Sequence, residues 1–276
     1  MLIIVGIVLS AALLFSVRVG TRAALPVVAL SGLVAFVLLG SGFEGLGLAP
    51  FMGWIAVYQM ERGQGFGKVM AGALLPVTAF CLWLIFLAGD PGFLQERSDQ
   101  VTEQFAALGV EMDPQVMETM IQLALRVQPS VEFVSMMLSF LLAFRLAFLL
   151  APRFGMALPE APPMTQWRPW DELIWVLIGA LVLAFLGVSW LEDVALNAVV
   201  VMSVVYAAQG LGLLRFFTKR HGVPRALELT FYIALLFVQP GLAMIALAFG
   251  GLLDTWFDWR RLRPVPLDTE EDENQN

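Results

Sequence analysis

The chain has 276 residues, of which 59% are hydrophobic and only 14% are charged. A water-soluble domain carries about 25% charged residues, so this composition excludes an ordinary soluble protein. The charged residues also lie between long apolar runs, as expected of a chain whose surroundings are lipid. We therefore predict an all-α protein, a polytopic bundle of eight or nine transmembrane helices.

Seven apolar runs have the roughly 17–25 residues needed to cross a hydrocarbon core. The predicted spans are 1–17, 23–40, 42–59, 69–88, 131–151, 173–190 and 196–217. The last apolar region, 227–258, is too long for one simple span and is interrupted at Gln239-Pro240-Gly241. Because proline removes a backbone donor and clashes with the preceding turn, this region forms either one kinked helix or a hairpin of two short helices.

The basic residues predict the orientation of the chain in the membrane. They follow the first, third, fifth and seventh spans, and only Arg97 and Arg126 lie in the opposite set of loops. The positive-inside rule therefore places the N-terminus and the 90–130 stretch outside. Arg260, Arg261 and Arg263 favour a cytoplasmic C-terminus, which requires nine spans, whereas eight spans would place it outside.

Four segments follow from this pattern: transmembrane helices in 1–89, an extracytoplasmic insertion in 90–130, further transmembrane helices in 131–260, and a disordered acidic tail in 264–276. The insertion is predicted as two short amphipathic helices. Val101, Phe105 and Leu108 form one apolar face. Asp113-Pro114 begins the second helix, and Pro129 ends it. This insertion is a lid on the helix ends, a substrate gate or a docking surface for a partner.

The sequence offers no soluble catalytic motif. Its one histidine, His221, and one cysteine, Cys81, cannot assemble a His/Cys metal site, and no nucleophile–base pair is visible. The basic residues are spread over the loops that flank the spans, which does not suggest nucleic-acid binding. We expect no enzymatic activity, no cofactor and no nucleic-acid partner.

Polar side chains at membrane depth are the candidates for function, because burying them in hydrocarbon is costly and they usually face the bundle interior. The candidate ligand-binding residues are Arg145, Tyr206, Gln209, Gln239, Asp254 and Asp258. For Arg145 the alternatives are a side chain that reaches back to the cytoplasmic interface and an interior cation that pairs with a carboxylate or an anionic ligand.

The other candidates also have a purely structural alternative. Gln209, next to Gly210, bonds across closely packed helices or contacts a ligand. The proline after Gln239 frees a carbonyl for a neighbouring side chain or a ligand. Asp254 and Asp258 share a helix face, with Arg261 three residues after Asp258. They form a salt-bridge cluster or a proton or cation site.

From residue 129 onward the sequence resembles the YybS-like family of bacterial membrane proteins, a domain of unknown function. The residues that carry the resemblance are Pro129, Arg153-Phe154-Gly155, Trp167-Arg168-Pro169, Tyr206, Gln209-Gly210-Leu211, Lys219 to Pro224 and the terminal Gly250 to Arg260. The resemblance implies a protein of the bacterial inner membrane with no established activity. The family is distantly similar to the substrate-binding S components of energy-coupling-factor transporters, although the first span lacks their Ala-x-x-x-Ala coupling pattern.

Two classes of function follow from the sequence. The first is a small-molecule binding or uptake component without its own ATPase. The alternative is a non-transporting scaffold that docks other membrane proteins through the 90–130 insertion or the acidic tail. An enzyme that acts on lipid ranks third. The expected partners are therefore the lipid bilayer, a small-molecule ligand and other membrane proteins.

Overall fold

A computed structural model describes residues 2–39, 44–87, 113–155, 163–186 and 188–262, together with residues 92, 95, 98–99, 102–103 and 158. This part of the chain is helical and contains no strand, which confirms the predicted all-α class. The α-helices are α1 (Leu2–Val19), α2 (Thr21–Leu39), α3 (Glu44–Glu61), α4 (Phe66–Leu87), α5 (Pro114–Leu150), α6 (Leu173–Ala184), α7 (Ser189–Arg220), α8 (Arg225–Val238) and α9 (Pro240–Phe257). A 3-10 turn, Ala151–Phe154, follows α5.

Four helices in the described ranges are long and apolar enough to cross a membrane, by length and composition: Phe66–Leu87, Gln115–Phe154, Trp190–Arg220 and Pro240–Phe257. Ile3–Val19, Thr21–Ala35 and Leu173–Ala184 are apolar but shorter. Large apolar side chains such as Phe86 and Trp175 are exposed on these helices, which suits contact with lipid. The predicted count of eight or nine spans is not confirmed.

The chain divides into two compact units. Unit 1 contains Met1–Ala161 and Glu172–Met202, and unit 2 contains Pro162–Asp171 and Ser203–Asn276. In unit 1, α1 packs against α3 and α5, α3 packs against α2 and α4, and α4 packs against α5. A Cβ on Gly53 of α3 would lie only 3.1 Å from backbone atoms of Leu9 and Leu13. The absence of a side chain at Gly53 thus allows close helix packing.

The region 227–258 forms two helices that meet at Gln239. Helix α8 ends at Val238, Gln239 has φ −149° and ψ 72°, and α9 begins at Pro240. The predicted break at this proline is therefore confirmed, and an uninterrupted helix through the region is excluded. The side of the membrane on which the C-terminus lies remains a prediction.

Helix α5 continues through Pro129, so the prediction that this proline ends a helix is wrong. The predicted start is confirmed, because the Asp113 carboxylate accepts a hydrogen bond from the backbone N–H of Gln115 at 2.8 Å. The boundary predicted at residue 130 falls inside this helix. The amphipathic face of Val101, Phe105 and Leu108 lies outside the described residues, as does the tail 264–276.

The side-chain amide of Asn197 supports the backbone of α5 beside this proline. Pro129 has no N–H to donate. The next N–H, that of Ser130, donates to Asn197 Oδ1 at 2.8 Å, and Asn197 Nδ2 donates to the Arg126 carbonyl at 2.8 Å. Ser130 and Arg126 are the donor and acceptor positions of one i→i−4 helical bond. A neighbouring side chain therefore satisfies the groups that the proline disturbs, which lets the helix continue.

We expect Asn197→Leu to destabilise the protein by about 1–3 kcal/mol, since it removes the partner of two buried backbone groups. The loss should be smaller in a Pro129→Ala background, where residue 129 regains its N–H and the helix closes its own bonds. Reversible unfolding in detergent measures both costs. Gln239→Leu, which removes an exposed amide, is the control. Equal costs of Asn197→Leu in the two backgrounds would contradict the proposed support of α5.

Candidate functional site

Four of the six predicted site residues lie in unit 2 on two helices that touch. Tyr206 and Gln209 are on α7, and Asp254 and Asp258 are at the end of α9. Gln209 Nε2 donates to Asp254 Oδ2 at 3.2 Å, so the amide bonds across two helices as predicted. Tyr206, Gln209 and Asp254 are buried, at 2%, 0% and 1% exposure respectively.

Of the other two predicted residues, Gln239 belongs to unit 2 and Arg145 to unit 1. Gln239 is exposed and directly precedes α9, fifteen residues before Asp254, which corresponds to roughly 22 Å along the helix axis. Arg145 belongs to unit 1, where its side chain is exposed and its guanidinium carbon lies 6.0 Å from the ring centroid of Phe148. A single site that includes Arg145 stays a prediction.

A buried ion pair joins Asp254 to Arg260. Arg260 Nε and Nη2 lie 2.9 Å and 2.7 Å from the same carboxylate oxygen, Asp254 Oδ2. The side chains are 1% and 0% exposed. The third guanidinium nitrogen, Nη1, donates to the carbonyls of Thr165 and Trp167 at 3.2 Å and 3.0 Å. Arg260 therefore connects the end of α9 to the segment that precedes α6.

The end of α9 explains why Arg260 reaches Asp254. The helix stops at Phe257, and Asp258 takes a left-handed conformation with φ 44° and ψ 50°. The chain therefore turns away from the helix axis, and Arg260 folds back against the last helical turn. The prediction that Asp258 continues the helix face of Asp254 is wrong, because the helix ends before Asp258. Asp258 Oδ1 lies 3.5 Å from Nη1 of Arg168.

Arg168 caps the C-terminal end of α9. Its Nη2 donates to the carbonyl of Thr255 at 2.9 Å and to Asp171 Oδ1 at 2.6 Å. A cation at this position satisfies a terminal carbonyl and complements the helix dipole. The segment 163–171 thus contacts the end of α9 in two ways. Its Arg168 binds a carbonyl of α9, and its own carbonyls bind Arg260. We call Arg168, Tyr206, Gln209, Asp254, Asp258 and Arg260 the two-arginine cluster.

Glycines allow α7 and α9 to approach closely beside this cluster. A Cβ built on Gly251 would overlap the carbonyl oxygen of Tyr206, and one built on Gly210 would overlap the carbonyl of Leu247. Backbone contact at these points brings Gln209 within hydrogen-bond distance of Asp254. The predicted role of the glycine after Gln209 in close helix packing is therefore confirmed.

The two-arginine cluster contains most of the unpartnered buried polar atoms in the described part of the chain. Five buried side-chain atoms there form no hydrogen bond, and four belong to this cluster: Arg168 Nε, Tyr206 Oη, Asp254 Oδ1 and Arg260 Nη2. Of these four, Arg260 Nη2 is in ion-pair contact with Asp254 Oδ2, which leaves three atoms without a polar partner. A buried polar group without a partner costs about 1–3 kcal/mol, and such groups are rare in native proteins. The cluster therefore has an unused capacity to bind a polar group.

A protein-family model described as "Predicted membrane protein (DUF2232)" matches residues 1–255. The chain belongs to this family. The match is consistent with the predicted YybS-like resemblance and also covers the first 90 residues, where the sequence showed similarity in hydropathy alone. It does not test the similarity to S components. The comparisons with curated proteins and with solved structures found no match.

The family match ends inside the cluster, since Asp254 is within it and Asp258 and Arg260 follow it. The sequence analysis did not predict Arg168 and Arg260 as site residues. It used both arginines only to infer the orientation of the chain in the membrane. The signal was present in the motifs that carry the resemblance. Trp167-Arg168-Pro169 and the terminal Gly250 to Arg260 pattern contain both arginines.

Two adjacent glycines test the helix contact that positions the cluster. Gly251→Ala should destabilise the protein by about 1–3 kcal/mol or more, because its methyl group overlaps the α7 backbone. Gly250→Ala meets nothing within 4 Å and should be neutral or stabilising by about 0.5–1 kcal/mol, the usual gain of alanine in a helix. Thermal unfolding of the purified protein in detergent measures both. A similar cost for the two variants would contradict the close contact at Gly251.

Proposed function

We propose that this membrane protein binds a small polar molecule at the two-arginine cluster and acts as a binding or uptake component without its own ATPase. The observation that carries the proposal is the concentration of three unpartnered buried polar atoms, Arg168 Nε, Tyr206 Oη and Asp254 Oδ1, in one place. A purely structural salt bridge in an apolar environment would be expected to satisfy its own donors and acceptors. We further propose a multi-pass protein of the bacterial inner membrane.

The free atoms define the chemistry of the ligand. Asp254 Oδ1 accepts a hydrogen bond, and Arg168 Nε donates one. The hydroxyl of Tyr206 can do either. Three aspartates (Asp171, Asp254 and Asp258) face two arginines, a formal charge of −1, so the local charge does not favour an anion. The best match is an uncharged or zwitterionic molecule that carries both an N–H or O–H donor and a carbonyl or carboxylate acceptor.

Access to the cluster requires a change in conformation, because Asp254 and Arg260 are almost completely buried. The segment 163–171 is the proposed cover. It contacts α9 through Arg168 and through the two carbonyls that bind Arg260. Release of these contacts would expose the guanidinium groups of both arginines. On binding, ligand atoms would replace the carbonyl groups that Arg168 and Arg260 contact. Neither guanidinium group would then be left without a partner.

The cluster favours binding over the other functions considered. Its side chains form ion pairs and amide contacts but include no nucleophile next to a base, so we propose no catalysis. A scaffold role would use the 90–130 insertion or the acidic tail. Part of the insertion and all of the tail lie outside the described residues, and the described contacts give that alternative no support of its own.

Tyr206→Phe is the most selective test of ligand binding, because it removes only a hydroxyl that has no partner. The purified protein is screened in detergent by thermal unfolding against vitamins, amino acids and other small metabolites. A true ligand at 100 times its dissociation constant should stabilise the protein by about 2.7 kcal/mol. Tyr206→Phe should leave the unliganded stability unchanged or higher and weaken ligand binding by roughly two- to ten-fold, as expected for one lost hydrogen bond.

Tyr232→Phe is the matched control. It also removes a phenolic hydroxyl from unit 2, one that donates to Glu228 at 2.6 Å, and it should not change ligand affinity. The proposal fails if no compound stabilises the protein, or if the two tyrosine variants weaken binding equally.

A further inference from the structure

Two interhelical turns are joined at one end of unit 1. Thr21, the first residue of α2, donates through Oγ1 to Glu61 Oε2 at 2.7 Å and through its backbone N–H to Glu61 Oε1 at 3.4 Å. The indole Nε1 of Trp54 donates to the Thr21 carbonyl at 2.7 Å. Glu61 at the end of α3 therefore satisfies free donors at the start of α2 and holds the α1–α2 and α3–α4 turns together.

The joined turns carry a concentrated positive charge. All the basic residues of segment 1–89 lie at this end, and all are exposed: Arg18, Arg22, Arg62 and Lys68. Of the two acids in segment 1–89, Glu61 lies beside them, and its carboxylate accepts both hydrogen bonds from Thr21. The other acid of the segment, Glu44, begins α3 at its opposite end. Four bases and one acid give this end a formal charge of +3.

Two aromatic rings on α3 lie next to one of these basic residues, Arg62. Trp54 and Tyr58 are four residues apart and share one face of α3, and Arg62 lies in the turn that follows. The two rings stack with centroids 5.6 Å apart and an interplanar angle of 13°. The guanidinium carbon of Arg62 lies 4.3 Å from the Tyr58 centroid, a cation–π contact. Tryptophan and tyrosine favour the membrane–water interface, so this column holds Arg62 at the depth of the lipid headgroups.

We propose that the joined turns bind the phosphate of an anionic phospholipid headgroup. Arg22 and Arg62 are the main contacts, and Arg18 and Lys68 add charge. The planar guanidinium fork matches phosphate oxygens, and basic sites between membrane helices on the cytoplasmic side recognise anionic headgroups. Exposed apolar side chains continue along α2 from the turn, such as Leu25 and Leu33, and suit the acyl chains. Free phosphate shares the headgroup chemistry but lacks this second contact.

The full-length protein is reconstituted in nanodiscs that contain phosphatidylcholine and phosphatidylglycerol. After mild delipidation, native mass spectrometry measures the ratio of the two lipids retained. The wild-type protein should retain phosphatidylglycerol in preference. Arg22→Gln combined with Arg62→Gln should reduce this preference by roughly ten-fold or more. Arg153→Gln combined with Arg225→Gln removes the same charge elsewhere and should leave the preference near the wild-type value.

Tyr58→Leu tests the geometry without changing the charge. It removes the ring that holds Arg62 and should reduce the preference by a smaller factor than the double arginine variant. Equal losses in the two double variants, or no loss in Tyr58→Leu, would mean that the net charge alone attracts lipid and would overturn the site. Inorganic phosphate is added in a parallel thermal-unfolding experiment. Stabilisation by phosphate without stabilisation by phosphatidylglycerol would overturn the lipid as the ligand.

Discussion

Arg260 and Asp254 lie 2.7 Å apart with both side chains buried, in a unit whose helices are otherwise strongly apolar. Two charges in such surroundings are tolerated only when they are paired and hydrogen-bonded. The pair therefore constrains its neighbours. Asp258 must turn the chain out of the helix so that Arg260 can return, and the segment 163–171 must present two carbonyls to the guanidinium group. The close contact of α7 with α9 brings in Gln209 as a further partner.

A related constraint acts on the backbone of unit 1. Proline and helix termini leave backbone groups without a partner in their own helix. Asn197 provides these partners beside Pro129, and Glu61 provides them at the start of α2. In each case one polar side chain from a neighbouring helix satisfies the backbone and joins two elements. Unit 2 differs because its polar atoms exceed the partners that the described chain offers them.

The composition was sufficient to predict the all-helical fold, because a chain with so few charges and such long apolar runs cannot satisfy its backbone in another way. The break at Pro240 and the N-cap at Asp113 followed from local chemistry that needs no tertiary contact. The continuation of α5 through Pro129 could not be predicted from local chemistry, since it depends on Asn197, which is distant in sequence. A proline rule applied to the segment alone therefore gives the wrong end of the helix.

The candidate site was also predictable only in part, because some of its residues are recognisable from local sequence and others depend on tertiary contacts. Gln209 and Asp254 are conspicuous as polar residues within apolar runs, and the structure places them in contact. Arg168 and Arg260 lie in short segments outside the helices, where arginine is common and the sequence alone suggests only an orientation marker. Their role depends on the left-handed turn at Asp258 and on the carbonyls of the segment 163–171. Helical spacing cannot predict either feature.

A double-mutant cycle on Asp254 and Arg260 tests most directly whether this ion pair organises unit 2. Asp254→Leu, Arg260→Met and the combined variant are compared by reversible unfolding in detergent. Each single change leaves a buried charge unpaired and should cost about 3–5 kcal/mol. The combined change removes both charges and should cost clearly less than the sum of the two. Additive costs, or single variants as stable as the wild type, would contradict the pair as the organising interaction.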